Sequence, residues 1–341
     1  WENAANSTLN IGGSLLTTGT LTATANPNTV NYNGAGNQTL KGTTYYNLTI
    51  NKTGGTATLG GNITVSNTLN LTDGTVNNNT ITAQGDINLA STFDSGSTAL
   101  TITGNNNQLL TGGGSDSAGD FLALTINKTG GILTLANTIL RTGRNWTYTQ
   151  GEIAVGTSTV VFAIRNLIIA GNMTFYNLTF NSAVTYTIAA GTTITATGKL
   201  SLLNGNVNTG TINAQGDIDV STDFDGDTAT LVINGSGTQT FTGIGSGTTA
   251  DLLNLEINKP SGTLNLAGTI YADRNWTYTQ GTINEGTSTV IFEGRTLTIT
   301  GNMKFYNLTF NSANTFTIAA GNTLTVNGKL SLLNGNVNTG T

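Results

Sequence analysis

A long internal repeat constrains this chain more than any other feature. Residues 145–211 (NWTYTQGEIAVGTSTVVF…GNMTFYNLTFNSA…GKLSLLNGNVNTGT) and residues 275–341 align at an offset of 130 without a gap, and 51 of the 67 positions are identical. A more diverged copy lies upstream. Tyr45-Tyr46-Asn47-Leu48-Thr49-Ile50 stands 130 residues before Phe175-Tyr176-Asn177-Leu178-Thr179-Phe180, and Ala83-Gln84-Gly85-Asp86-Ile87 stands 131 before Ala214-Gln215-Gly216-Asp217-Ile218. Repeats of this kind mark architectures in which each unit buries its apolar face on its neighbours. The chain divides on this basis into a partial repeat (1–44), two full repeats (45–174 and 175–304) and a second partial repeat (305–341).

A shorter period runs inside the long one. Runs of three to five residues alternate apolar and polar positions, as in Asn177-Leu178-Thr179-Phe180 and Lys199-Leu200-Ser201-Leu202, and Gly or Asn punctuates them. Alternation at period 2 reads as strand, and Gly and Asn supply turn conformations that other residues avoid. No stretch holds a 3.6-residue period for three turns, and Thr and Gly are poor helix formers. The pieces average about 18 to 19 residues, seven to each 130-residue repeat, which predicts a single continuous parallel β-solenoid with one coil per piece. Parallel crossovers favour a right-handed path. A string of β-sandwiches is the rival fold, but no linker or boundary interrupts the pattern.

The two close copies support a packed coil. Val161 becomes Ile291, and Phe162 and Leu178 recur as Phe292 and Leu308, while Glu152, Val155, Ala163 and Thr174 face Thr282, Glu285, Glu293 and Lys304. Apolar volume is kept and polarity drifts, as expected of a core under a non-specific surface.

Composition excludes whole classes of chemistry. Gly, Thr and Asn make up nearly half of the 341 residues, charged residues are 9%, and there is no Cys and no His. Disulfides, thiolate zinc sites, and Ser-His-Asp or Cys nucleophile chemistry are therefore out of reach. A net charge of −5 gives no nucleic-acid footprint, and no apolar run approaches the length of a membrane-spanning helix. No cofactor is expected.

The phrases Tyr46-Asn-Leu-Thr-Ile-Asn-Lys-Thr-Gly-Gly55, Leu124-Thr-Ile-Asn-Lys-Thr-Gly-Gly131 and Asn322-Thr-Leu-Thr-Val-Asn-Gly328 resemble the β-strand-repeat regions of very large bacterial surface proteins, the filamentous-haemagglutinin-like and autotransporter-adhesin-like group. The resemblance is one of style and covers nearly the whole chain. It implies a secreted β-helical fibre or stalk and carries over no catalytic residue. The expected function is a structural subunit or segment of an extracellular filament at the cell surface. It would polymerise head to tail with itself through uncapped solenoid ends, since the chain stops in mid-repeat. An adhesin stalk that binds carbohydrate or another cell surface is the alternative. A polysaccharide-acting β-helix enzyme or an ice-binding protein ranks below these.

Several residues are candidates for specific roles. Asp223, Asp225 and Asp227 form a D-x-D-G-D cluster that could supply oxygen ligands to calcium. The earlier copy keeps one acid there (Asp94), which favours a solvated turn. Trp146, Tyr148, Trp276 and Tyr278 alternate with Thr, so they form either core or an aromatic contact stripe, with the inward reading preferred. Asn47, Asn177 and Asn307 lie in Asn-x-Thr sequons and offer glycosylation sites, though sequons are no more frequent than composition dictates. Lys52, Lys128 and Lys259 recur at matching positions and read as a repeated surface or turn charge. Thr-x-Thr pairs such as Thr101/Thr103, Thr147/Thr149, Thr195/Thr197, Thr277/Thr279 and Thr296/Thr298 would suit ice binding only if stacked one pair per coil.

Overall fold

The computed structural model describes residues 1–15, 18–115, 117–136, 138–244 and 251–339. It contains strands, turns and bends and no helix among these residues. The chain divides into two compact units, Trp1–Val161 and Phe162–Thr341. Each is a parallel β-solenoid, so the sandwich alternative is excluded.

In the second unit, one column of paired residues runs Met173, Ile194, Ile212, Leu231, Leu255, Trp276 and Ile299. A second runs Leu178, Leu200, Ile218, Phe241 and Leu266. A third runs Ile270, Val290, Leu308 and Leu330. The chain visits these columns in rotation, so each turn has three sides. In the first unit, Leu9, Val30, Leu48, Leu69, Ile87, Leu110 and Leu135 form the corresponding kind of column. Parallel pairing aligns like with like, so each column stacks one apolar side chain on the next down the interior.

The turn is longer than the sequence period. Six turns from Met173 to Ile299 take 126 residues, 21 per turn on average, with individual turns of 18 to 24. Met303, the repeat equivalent of Met173, does not continue that column; it pairs with Leu324 on the next side. One 130-residue repeat therefore occupies six turns and one side rather than seven coils of 18 to 19 residues. Corner bulges and loops, such as the register shift between Asn181 and Thr185, add residues that the strand pattern does not count. A motif that recurs every 130 residues thus moves from one side of the solenoid to the next.

Outward positions also stack. Thr44, Thr64, Thr82, Thr101, Thr125 and Thr147 occupy one register column over six turns, all half-buried. Two residues on, the same turns carry Tyr46, Ser66, Gln84, Thr103, Asn127 and Thr149. The threonines are therefore single file, and the paired array that ice binding requires does not form. Asparagines make a second ladder: Asn31 Nδ2 donates to Asn10 Oδ1 at 2.9 Å, and Asn88 Nδ2 to Asn70 Oδ1 at 2.8 Å. These amides satisfy one another between turns.

Glycine is essential where turns touch. A Cβ on Gly216 would lie 1.7 Å from the carbonyl oxygen of Gly198, and one on Gly85 would lie 1.8 Å from that of Asn67. That contact explains the recurrence of Ala-Gln-Gly-Asp. The aspartate next to each glycine accepts a main-chain N–H from the following turn, Asp86 from Leu109 and Asp217 from Thr240, each at 2.8 Å.

Candidate functional site

The three recurring lysines are not on the surface. Lys52, Lys128 and Lys259 are 1%, 2% and 1% exposed, which corrects the expectation of a repeated surface charge. Each ammonium is aimed at three oxygens of the preceding turn. Lys259 Nζ donates to Gly235 O at 2.7 Å, Gly237 O at 2.9 Å and Gln239 Oε1 at 2.6 Å. Lys128 donates to Gly104 O, Asn106 O and Gln108 Oε1, and Lys52 to Gly34 O, Gly36 O and Gln38 Oε1. The glutamine then reaches back one further turn. Gln239 Nε2 donates to Ala214 O at 3.1 Å and Gly216 O at 2.6 Å. Gln38 and Gln108 do the same to Ile11 and Gly13, and to Ala83 and Gly85.

Each Lys–Gln clip thus fastens three successive turns at one corner. Burial pushes the three lysines below their ordinary range. Three acceptors per nitrogen match the three donors of an ammonium and oppose loss of its proton. The sequence carries the signature as G-x-[GN]-x-Q followed one turn later by I-N-K. The lysines were visible in the sequence; Gln38, Gln108 and Gln239 were missed because a lone Gln carries no motif until its lysine is seen to reach it.

The aromatic candidates separate. Trp146 and Trp276 are buried at 1% and 0% exposure, and Trp276 Nε1 points at Met303 Sδ, 3.1 Å away. Trp276 also meets Phe292 edge to face with centroids 5.6 Å apart. Tyr148 and Tyr278 are half-buried, and each hydroxyl donates to a corner carbonyl, Gly151 at 2.7 Å and Gly281 at 2.6 Å. The inward reading holds for the tryptophans, while the tyrosines tie their corners rather than forming an exposed stripe.

The sequon asparagines take part in inter-turn ladders. Asn47 donates to Thr29 Oγ1 and accepts from Asn67; Asn307 donates to Thr289 Oγ1; Asn177 and Asn307 accept the main-chain N–H of Lys199 and Lys329. A glycan on Asn47 or Asn307 would break the bond its amide nitrogen makes.

The D-x-D-G-D cluster opens outward. Asp223 and Asp225 are exposed, and Asp227 turns to Arg274, 3.8 Å away. Among the described residues, no three acids are placed to hold a metal ion. Asp223 and Asp225 instead line a groove of about 650 Å³ with Asn166, Thr185, Asn204, Asn206 and Thr222. The groove lies where bulges at Asn181–Thr185 and Leu202–Asn204 break the strand register.

Asp225 also begins an acidic column on one side of the second unit. It pairs with Asp251 on the next turn. Asp273 and Glu293 follow, immediately after the paired residues Ala272 and Phe292. Asp273 is 2% exposed and Glu293 8%. Two guanidiniums meet Asp273 Oδ2, Arg295 Nε at 3.0 Å and Arg274 Nε at 3.5 Å, while Asp273 Oδ1 and Glu293 Oε1 have no hydrogen-bond partner. Burial raises Asp273, and burial with the charge of Asp273 raises Glu293. Asp251 is pushed up to about 7 by burial and by the charges of Asp273, Asp225 and Glu293. The sequence comparison placed Glu293 on a drifting surface; the structure corrects that, because its backbone position lies at a corner folded under the next turn. Asp251 and Asp273 went unnoticed because they converge only through stacking. With Asp273 and Glu293 buried, the column does not present two accessible carboxyl groups to one bond of a substrate.

Comparison of the chain with protein-family models, curated proteins and solved structures yields no match.

Proposed function

We propose that this chain is a structural segment of a secreted, extracellular filament or surface fibre. The observation that carries the reading is the last described turn. Leu330, Leu332 and Val337 are 51%, 65% and 37% exposed, whereas their repeat equivalents Leu200, Leu202 and Val207 are fully buried. Leu200 and Leu202 are covered by Ile218 and Val220 of the following turn. A further turn of the same pattern fits this face, supplied by more of the same polypeptide or by a second copy stacked head to tail. Low charge, main-chain ladders, asparagine ladders and Lys–Gln clips suit a mechanical role. Electron microscopy of the native material tests it: filaments are expected, and head-to-tail stacking of copies is lost in Leu332→Lys. Discrete particles at every concentration, unchanged by that substitution, overturn it.

A second reading, a stalk that binds carbohydrate, is favoured by the groove at Asp223 and Asp225. Its acceptor-rich lining suits a hydroxyl-rich ligand. Binding of a soluble hexasaccharide that is lost in Asp223→Ala would support it; absence of binding across neutral and amino-sugar oligomers would remove it.

A further inference from the structure

We propose that the buried carboxyl groups of Asp273 and Glu293 form a proton-binding site that fastens successive turns of the second unit and lets go as the proton leaves. Two neighbouring acids are held on adjacent turns with almost no access to water. Each has an oxygen, Asp273 Oδ1 and Glu293 Oε1, that lacks a partner. A buried acceptor without a donor is costly, and a carboxylic acid proton supplies the missing donor.

The charge balance asks for the same thing. The groups facing this place are Asp225, Asp227, Asp251, Asp273 and Glu293 on the acidic side, and Arg274 and Arg295 on the basic side. Five acids against two guanidiniums leave an excess of negative charge in a desolvated corner. Like-charged carboxyl groups in such a place do not all ionise. A metal ion is the poorer occupant, because no three of these acids are placed as ligands and Asp273 Oδ2 already faces both arginines. The directions of Asp251, Asp273 and Glu293, all upward, agree with a retained proton.

The diverged copy lacks the device. Gly143 and Ala163 stand where Asp273 and Glu293 stand, and Asp120, the equivalent of Asp251, is paired with Arg141. The first unit therefore serves as an internal reference.

The sign follows from linkage. A carboxyl group whose folded value is raised holds its proton in the folded state while the unfolded chain has lost it. Stability is then highest below the folded value and falls as pH rises through it, here near 7 for Asp251. One proton released changes protection by at most about tenfold per pH unit.

Amide hydrogen exchange, corrected for the intrinsic chemical rate, tests this between pH 5 and 9. Protection of strands Asn254–Ala272 and Thr289–Glu293 should fall above pH 7, while that of Ala99–Ile102 and Ala123–Leu135 in the first unit stays level. Glu293→Gln, which donates a hydrogen bond at every pH, should keep the acid-side protection throughout. A level wild-type profile overturns the proposal. So does restoration of acid-side protection at pH 9 by millimolar calcium alone, which would make the site a metal site.

Discussion

Replacing Lys259 by Met removes one clip while keeping the length and much of the volume of the side chain. Three bonds from a charged donor are lost, to Gly235 O, Gly237 O and Gln239 Oε1. At about 1.5–3 kcal/mol per charge-assisted bond the gross loss is large. Sparing the ammonium its desolvation returns several kcal/mol, so the net cost follows the pattern of breaking a buried ionic contact, about 3–5 kcal/mol. The two carbonyls and the Gln239 oxygen keep no donor from the lysine, and water has little room at a corner where Lys259 is 1% exposed. The loss should be local. Exchange of the amides in Gln239–Ile244 and Asn254–Ala272 should accelerate, and strands of the first unit should not respond. Lys128→Met should give the mirror result, in Gln108–Gly112 and Ala123–Leu135. A loss under about 1 kcal/mol in both variants would refute the reasoning, because it would mean that the ammonium gains no more from its three oxygens than it gains from water.

Ile164 holds a positive φ of 75°, and its repeat equivalent Gly294 adopts 77°. A β-branched residue is strained there, so Ile164→Gly should raise the urea midpoint by a gain of up to about 1 kcal/mol, and a lowered midpoint would show that side-chain packing outweighs the strain. Gly216→Ala places a Cβ on the carbonyl oxygen of Gly198 and should cost at least about 2 kcal/mol in the same assay, with Gly237→Ala, which meets nothing within 4 Å, as the tolerant control. Trp276→Ala empties an interior position between Phe292 and Phe305 and should cost about 3–5 kcal/mol by thermal or urea unfolding.

Much of the interior was legible in the sequence. Alternating Leu, Ile, Val and Phe positions such as Leu178, Leu200 and Ile218 are the ones that stack inward, because side-chain direction in a strand is set by local geometry with period 2. The inward tryptophans follow from the same rule. The number of residues per turn did not follow, since the loop length between strands is free until the strands pair.

What the sequence determined alone is therefore local: strand, turn, the need for glycine at Gly85 and Gly216, and the parallel stacking implied by repetition. What only the tertiary structure decided is register. Stacking at 21 residues per turn, rather than 18 to 19, shifts each 130-residue repeat by one side. The same register places Gln239 under Lys259 and sets Glu293 on the turn after Asp273. Residues some 20 apart in the chain have no local term linking them. Their contact exists only because main-chain pairing fixes which turn lies over which, and a one-residue slip would turn every one of these side chains to the opposite face.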